Sequence, residues 1–110
     1  MRTKVIATTR IEGTHAWPGC QVPGVEFLRH PHRHVFHVRV ECEVGHADRQ
    51  REFIDLGRSV EEHLVSAYGR PMDLGATSCE ALALELVEVV DGAVAAEVWE
   101  DGENGARVER

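Results

Sequence analysis

The chain has 110 residues, 43% of them apolar and 28% charged, with a formal net charge of −7. That balance reads as a single globular domain spanning residues 1–110, and the acidic surplus excludes nucleic-acid or anionic-membrane binding driven by charge. No run approaches the ~20 apolar residues of a membrane span, and Cys20, Cys42 and Cys79 are too widely spaced for a disulfide framework, so a cytoplasmic protein is expected.

Thr3 to Ile11 is β-branched and loosely alternating, which predicts a first strand extending toward His15. Trp17-Pro18-Gly19-Cys20-Gln21-Val22-Pro23-Gly24 then mixes proline and glycine densely enough to mark a loop. The loop is longer than a hairpin needs, which makes it a functional candidate. A second strand runs through His32-Arg33-His34-Val35-Phe36-His37-Val38-Arg39-Val40 to Val44. Alternate side chains of a strand share a face, so His32 and His34 point the same way, with Phe36, Val38 and Val40 continuing that face. Two imidazoles so placed are two-thirds of a catalytic zinc site, which takes three protein ligands and keeps one position open. An isolated His-x-His is more often a pair of ordinary polar strand residues than a pair of ligands. A cupin would set a carboxylate three or four residues beyond the second histidine, and His37 and Val38 stand there instead.

Val60, Leu64, Val65 and Tyr68 recur at helical spacing and predict a first helix over about 58–68, stopped by Gly69 and Pro71. Thr77-Ser78-Cys79-Glu80 reads as a capping box opening a second helix that ends near Val90, with Ala83, Leu86, Val87 and Val90 as its apolar stripe. Ala93 to Trp99 is a third strand, Glu100 to Gly105 a turn built on Asp-Gly and Asn-Gly, and Ala106 to Arg110 a fourth strand. The order ββααββ predicts an α+β fold, a four-stranded antiparallel sheet with two helices on one face. Its other face and both edges are left open, and open edges are normally managed by pairing. A homo-oligomer is therefore expected.

These elements and their motifs resemble the 6-pyruvoyl-tetrahydropterin synthase family, which includes the 6-carboxytetrahydropterin synthases of the 7-deazaguanine (queuosine) pathway. His15 resembles the family's zinc histidine after the first strand, and His32-Arg33-His34 its His-Gly-His. Ile54-Asp55-Leu56 resembles its Ile-Asp-Phe, Thr77-Ser78-Cys79-Glu80-Ala81-Leu82-Ala83 its Pro-Thr-Ser-Glu-Asn-Leu-Ala, and Val98-Trp99-Glu100-Asp101 its Val-x-Glu-Thr. The resemblance implies a T-fold that assembles into a barrel of several subunits, with Zn2+ on His15, His32 and His34. It further implies a pterin- or purine-like ligand held by Glu100, with Thr77, Ser78 and Glu80 as further ligand contacts.

The acid–base residues of the family's zinc-dependent lyase chemistry depart from the pattern. Leu28 stands where the family has its catalytic cysteine, and Met72-Asp73-Leu74 matches Leu-Asp-His with Asp73 kept and the histidine replaced. Cys20 in the Pro/Gly loop is the candidate substitute base, or else a loop cysteine without a role; His37, His46 and His63 are further candidates. His30 either closes the metal site as a fourth ligand or flanks it. Cys79, in the first turn of the second helix, would be thiolate-prone there or packed and inert. Two functions stay open: a zinc enzyme of this family with altered chemistry, and a zinc-bearing module that binds a pterin or purine nucleotide without turning it over.

Overall fold

The β-branched stretch at the N-terminus and the Val-rich stretch after His32 form the two longest strands, β1 (Thr3–His15) and β2 (His32–Val44). They pair antiparallel without a break, from Thr3 opposite Val44 to His15 opposite His32. The structure, a computed structural model, describes residues 1–110. After β2 come α1 (Phe53–Tyr68), β3 (Met72–Asp73), α2 (Cys79–Val89), β4 (Ala93–Glu100) and β5 (Asn104–Glu109). The sheet order is β3-β1-β2-β4-β5, with β3 parallel to β1 and every other neighbour antiparallel.

The α+β class is as expected, while the sheet has five strands instead of four. The extra strand, β3, is two residues long, too short for any periodicity to mark it. It forms because Leu74 N–H donates to the Thr14 carbonyl at 2.9 Å, and the pairing is extended by Ala16 N–H donating to the Gly75 carbonyl at 2.8 Å. Helix α1 begins at Phe53, five residues before the expected start, because the Glu52 carboxylate accepts the Asp55 N–H at 2.6 Å and caps the first turn. At α2 the cap is Ser78, one residue later than the capping box implied, its hydroxyl accepting the Ala81 N–H at 3.0 Å. The final turn holds only Asp101 to Glu103, and Asn104-Gly105 already belongs to β5.

One face of the sheet carries the core. Ala7 and Ile11 of β1, Phe36, Val38 and Val40 of β2 and Val98 of β4 meet Leu56, Val60 and Leu64 of α1 and Leu82, Leu86 and Val87 of α2. Full burial contributes about 1.5–3 kcal/mol for each such side chain, enough to fix which face of β2 looks inward. The opposite face is charged. There Glu41, 5% exposed, takes both Arg107 terminal nitrogens at 2.7 and 3.1 Å, and the hydrogen bonds from Arg107 hold its carboxyl below the usual range.

In an antiparallel sheet the end of β1, the start of β2 and the end of β4 fall at the same edge of the core. That geometry gathers His15, His32, His34 and Glu100. The β4–β5 hairpin that positions Glu100 leaves no room at Gly105, where a Cβ would collide with the Val98 carbonyl oxygen and lie 2.8 Å from Trp99 Cα. Gly105→Ala should lower stability by about 1–3 kcal/mol in urea denaturation; an unchanged midpoint would contradict this packing.

Candidate metal centre

Cross-strand partners in a sheet hold their Cβ atoms within about 4.5–5.5 Å, so the register sets the cluster. His15 lies directly opposite His32, their rings 4.6 Å apart between centroids, and the His32 and His34 rings are 5.0 Å apart. Glu100 ends β4 opposite Phe36, whose ring packs edge-on to His15 and His34 and forms an apolar floor. Gly13 faces His34 across the strands. A side chain there would press on Met72 Cβ at 3.0 Å and Phe36 at 3.3 Å, so the glycine lets β3 and Phe36 close beneath the cluster.

Each imidazole is oriented through Nδ1. The Thr77 carbonyl lies 3.0 Å from His15 Nδ1, the His30 carbonyl 2.9 Å from His32 Nδ1, and Asp101 Oδ2 2.7 Å from His34 Nδ1. Carbonyls only accept, so neutral His15 and His32 carry their proton on Nδ1 and keep a lone pair on Nε2, the tautomer that metal-ligating histidines adopt. Glu100 Oε2 lies 2.6 Å from His34 Nε2 and 3.5 Å from His15 Nε2. One ligand atom from each of the four side chains falls within 4.8 Å of the others.

Two features of this cluster would be satisfied by a bound cation. His32 Nε2 is buried without a hydrogen-bond partner, which is costly for a polar atom. His34 sits between two carboxylates, yet a neutral imidazole has one N–H to donate. A divalent metal among the three histidines and Glu100 resolves both, and the donor set, nitrogen and carboxylate oxygen, suits one. The cluster can hold a metal ion.

In the sequence Asp101 stands in the Asp-Gly turn and at the last position of the Val-x-Glu-Thr match, with no role of its own. It takes φ 55°, which aspartate tolerates, and its backbone and side chain clamp Val35: Asp101 N–H donates to the Val35 carbonyl at 2.8 Å, and Oδ1 accepts the Val35 N–H at 2.9 Å. The Val35 N–H first, and then His34, hold its carboxyl below the usual range. The signal was there in the Asp-Gly turn, but its role depends on the β2–β4 register, which no local pattern reveals.

Beside His15 and His32 opens a cleft of about 240 Å3. Thr77, Ser78, Cys79 and Glu80 at the start of α2 form one wall, Trp17 and Leu28 another, and Glu100 lies at the base with His15 and His32. Burial first, then Glu100 and Glu80, push the Cys79 thiol up to about 12, so the helix N-terminus does not make it a thiolate at neutral pH. Cys20 is fully buried, its thiol 3.6 Å from the Val25 carbonyl, and does not line the cleft. Nor does Asp73, whose carboxylate caps the Gly75 N–H at 3.2 Å. Leu74 belongs to the core. His30 contributes its carbonyl, and its imidazole lies outside the four-residue cluster. His37 lies on the opposite sheet face, and His63 pairs with Glu85 at 2.8 Å between the helices.

No protein-family model matches the sequence, and no curated protein matches it. Solved structures do. The 6-pyruvoyl tetrahydropterin synthase of Caenorhabditis elegans superposes with a TM-score of 0.74 at 10% identity, over 100% of this chain and 96% of the synthase. The chain shares its fold with that synthase. An uncharacterized protein from Wolinella succinogenes aligns equally well, with a TM-score of 0.74, 14% identity, and coverage of 100% of this chain and 99% of that one. Identities this low establish the fold, and function has to be argued from the cluster and cleft.

Because Asp101 orients His34, Asp101→Asn should weaken metal binding about 10–100-fold. Competition against a chromophoric chelator measures this, and an unchanged affinity would remove Asp101 from the site.

Proposed function

We propose that the chain is a zinc-dependent protein of the 6-pyruvoyl- or 6-carboxytetrahydropterin synthase type, taking a pterin- or 7-deazaguanine-pathway ligand into the cleft beside His15 and His32. The observation that carries this reading is the convergence of three Nδ1-anchored histidines, of which His15 and His32 line a cleft shared with the first turn of α2, on a fold shared with a pterin synthase. Zinc held there would supply Lewis acidity to an oxygen of the ligand. Glu80, Glu100, Thr77 and Ser78 line the cleft, and in this reading the two carboxylates would accept paired N–H bonds from a 2-amino-4-oxo ring edge. The subunits are proposed to assemble through their sheet edges. Ile6, Phe53 and Ile54 are exposed beside β1, whose outer edge is paired by β3 only at Gly13 and Thr14.

A second reading, a zinc-bearing module that binds without turnover, is favoured by what surrounds the ligand space. Leu28 lines the cleft where the resemblance places a proton-transferring cysteine, Leu74 is core, and Cys20 is fully buried and does not line the cleft. Side-chain cleavage or isomerisation needs a group that moves protons as well as a metal. The proton traffic left to the cleft is that of Glu80 and Glu100.

Calorimetric titration of pterin into the zinc-loaded protein should show binding, weakened about tenfold or more in Glu80→Gln, the loss of a charge-assisted pair. Absence of pterin and guanine binding would contradict the ligand class. Turnover of dihydroneopterin triphosphate should be weak or absent; family-like turnover lost in Cys20→Ala would make the loop thiol the base and the chain an enzyme of the first kind.

A further inference from the structure

A three-histidine catalytic site normally leaves its fourth position to water or substrate. Here the fourth position already has a protein candidate. Glu100 is the last residue of β4 and stands opposite Phe36, so it shares the inward face with the histidines. Its carboxylate lies against imidazole nitrogens: Oε2 is 2.6 Å from His34 Nε2 and 3.5 Å from His15 Nε2. His15 Nδ1 and His34 Nδ1 are already engaged by the Thr77 carbonyl and Asp101. Two imidazole nitrogens and a carboxylate oxygen converge on one point, where either a shared proton or a shared metal ion relieves the repulsion of their lone pairs.

We infer that Glu100 is the fourth protein ligand of the metal, so that the resting site is a closed three-histidine, one-carboxylate set. The inference rests on the metal reading above and changes what that site does. His30, whose imidazole lies outside the cluster, is not the closing ligand. A carboxylate on the metal is not free to hold a ring edge, so ligation and ring capture by Glu100 exclude one another. An incoming ring that draws Glu100 away thereby frees the coordination position that a ligand oxygen needs. The cleft supplies a second carboxylate, Glu80, that can engage the ring while Glu100 is still on the metal.

Cobalt(II) substitution tests this directly, because its visible absorption reports coordination and exogenous azide reports an open position. Wild-type protein should take up cobalt and show a band that azide does not move. Glu100→Gln should bind cobalt about tenfold or more weaker, with a band that shifts on adding azide, and His30→Ala should behave as wild type. A wild-type band that azide shifts as it does in Glu100→Gln, or a Glu100→Gln spectrum and affinity equal to wild type, would overturn the inference and leave the metal site standing. The wild-type azide measurement decides even if Glu100→Gln misfolds. Failure of the wild type to take up cobalt at all would remove the metal site, and both readings with it.

Discussion

His15 stands directly opposite His32 because β1 and β2 pair without slip from Thr3 opposite Val44 to the end of the ladder, and the cluster depends on that register. A slip of one residue would turn every side chain of β2 to the other face. His32 and His34 would then point toward the charged side, and Val35 and His37 would enter the core. Burial of Phe36, Val38 and Val40 against α1 and α2 opposes the slip. The hydrophobic core and the candidate metal centre are in this sense one constraint. The same pleat that buries the valines aims the histidines.

A second layer holds what the register brings together. The short β3 ladder and the Ser78 cap fix the entry to α2 so that the Thr77 carbonyl meets His15, while the Asp101 turn closes on Val35 and meets His34. The three rings are thus oriented by three different segments, two through backbone carbonyls and one through a carboxylate. Ring orientation set this way lowers the reorganisation required when a metal binds. It also explains why Glu100 lies among nitrogens instead of in solvent: the Asp101–Val35 clamp draws the end of β4 in against the start of β2.

Much of this was legible in the sequence. Period-two alternation from His32 to Val40 is a strong signal because one face is buried and the other is not. The spacing of Val60 and Leu64, and of Leu86 and Val87, marked the helices for the same reason. The three histidines could be grouped because a family-like motif order placed His15 near the His-x-His pair. What was missed is non-local. The β3 strand has no pattern of its own, the start of α1 depends on one carboxylate cap, and the Asp101–His34 contact joins residues far apart in sequence that only the sheet register brings together. Glu100 was read as a ring anchor at the end of a strand. Its nearness to His34 and His15 could not be read without the β2–β4 pairing. The cysteines show the limit from the other side: the Pro/Gly loop left Cys20 open as a substitute base or as a cysteine without a role, and packing buries it fully.

The account stands or falls on a metal held by His15, His32 and His34. Metal analysis of the purified chain by mass spectrometry, on wild type beside the His32→Ala/His34→Ala double variant, tests it most directly. The account predicts about one zinc per chain in the wild type and loss of most of it in the double variant with the fold retained. Full zinc content in the double variant, or none in the wild type after zinc reconstitution, would contradict it.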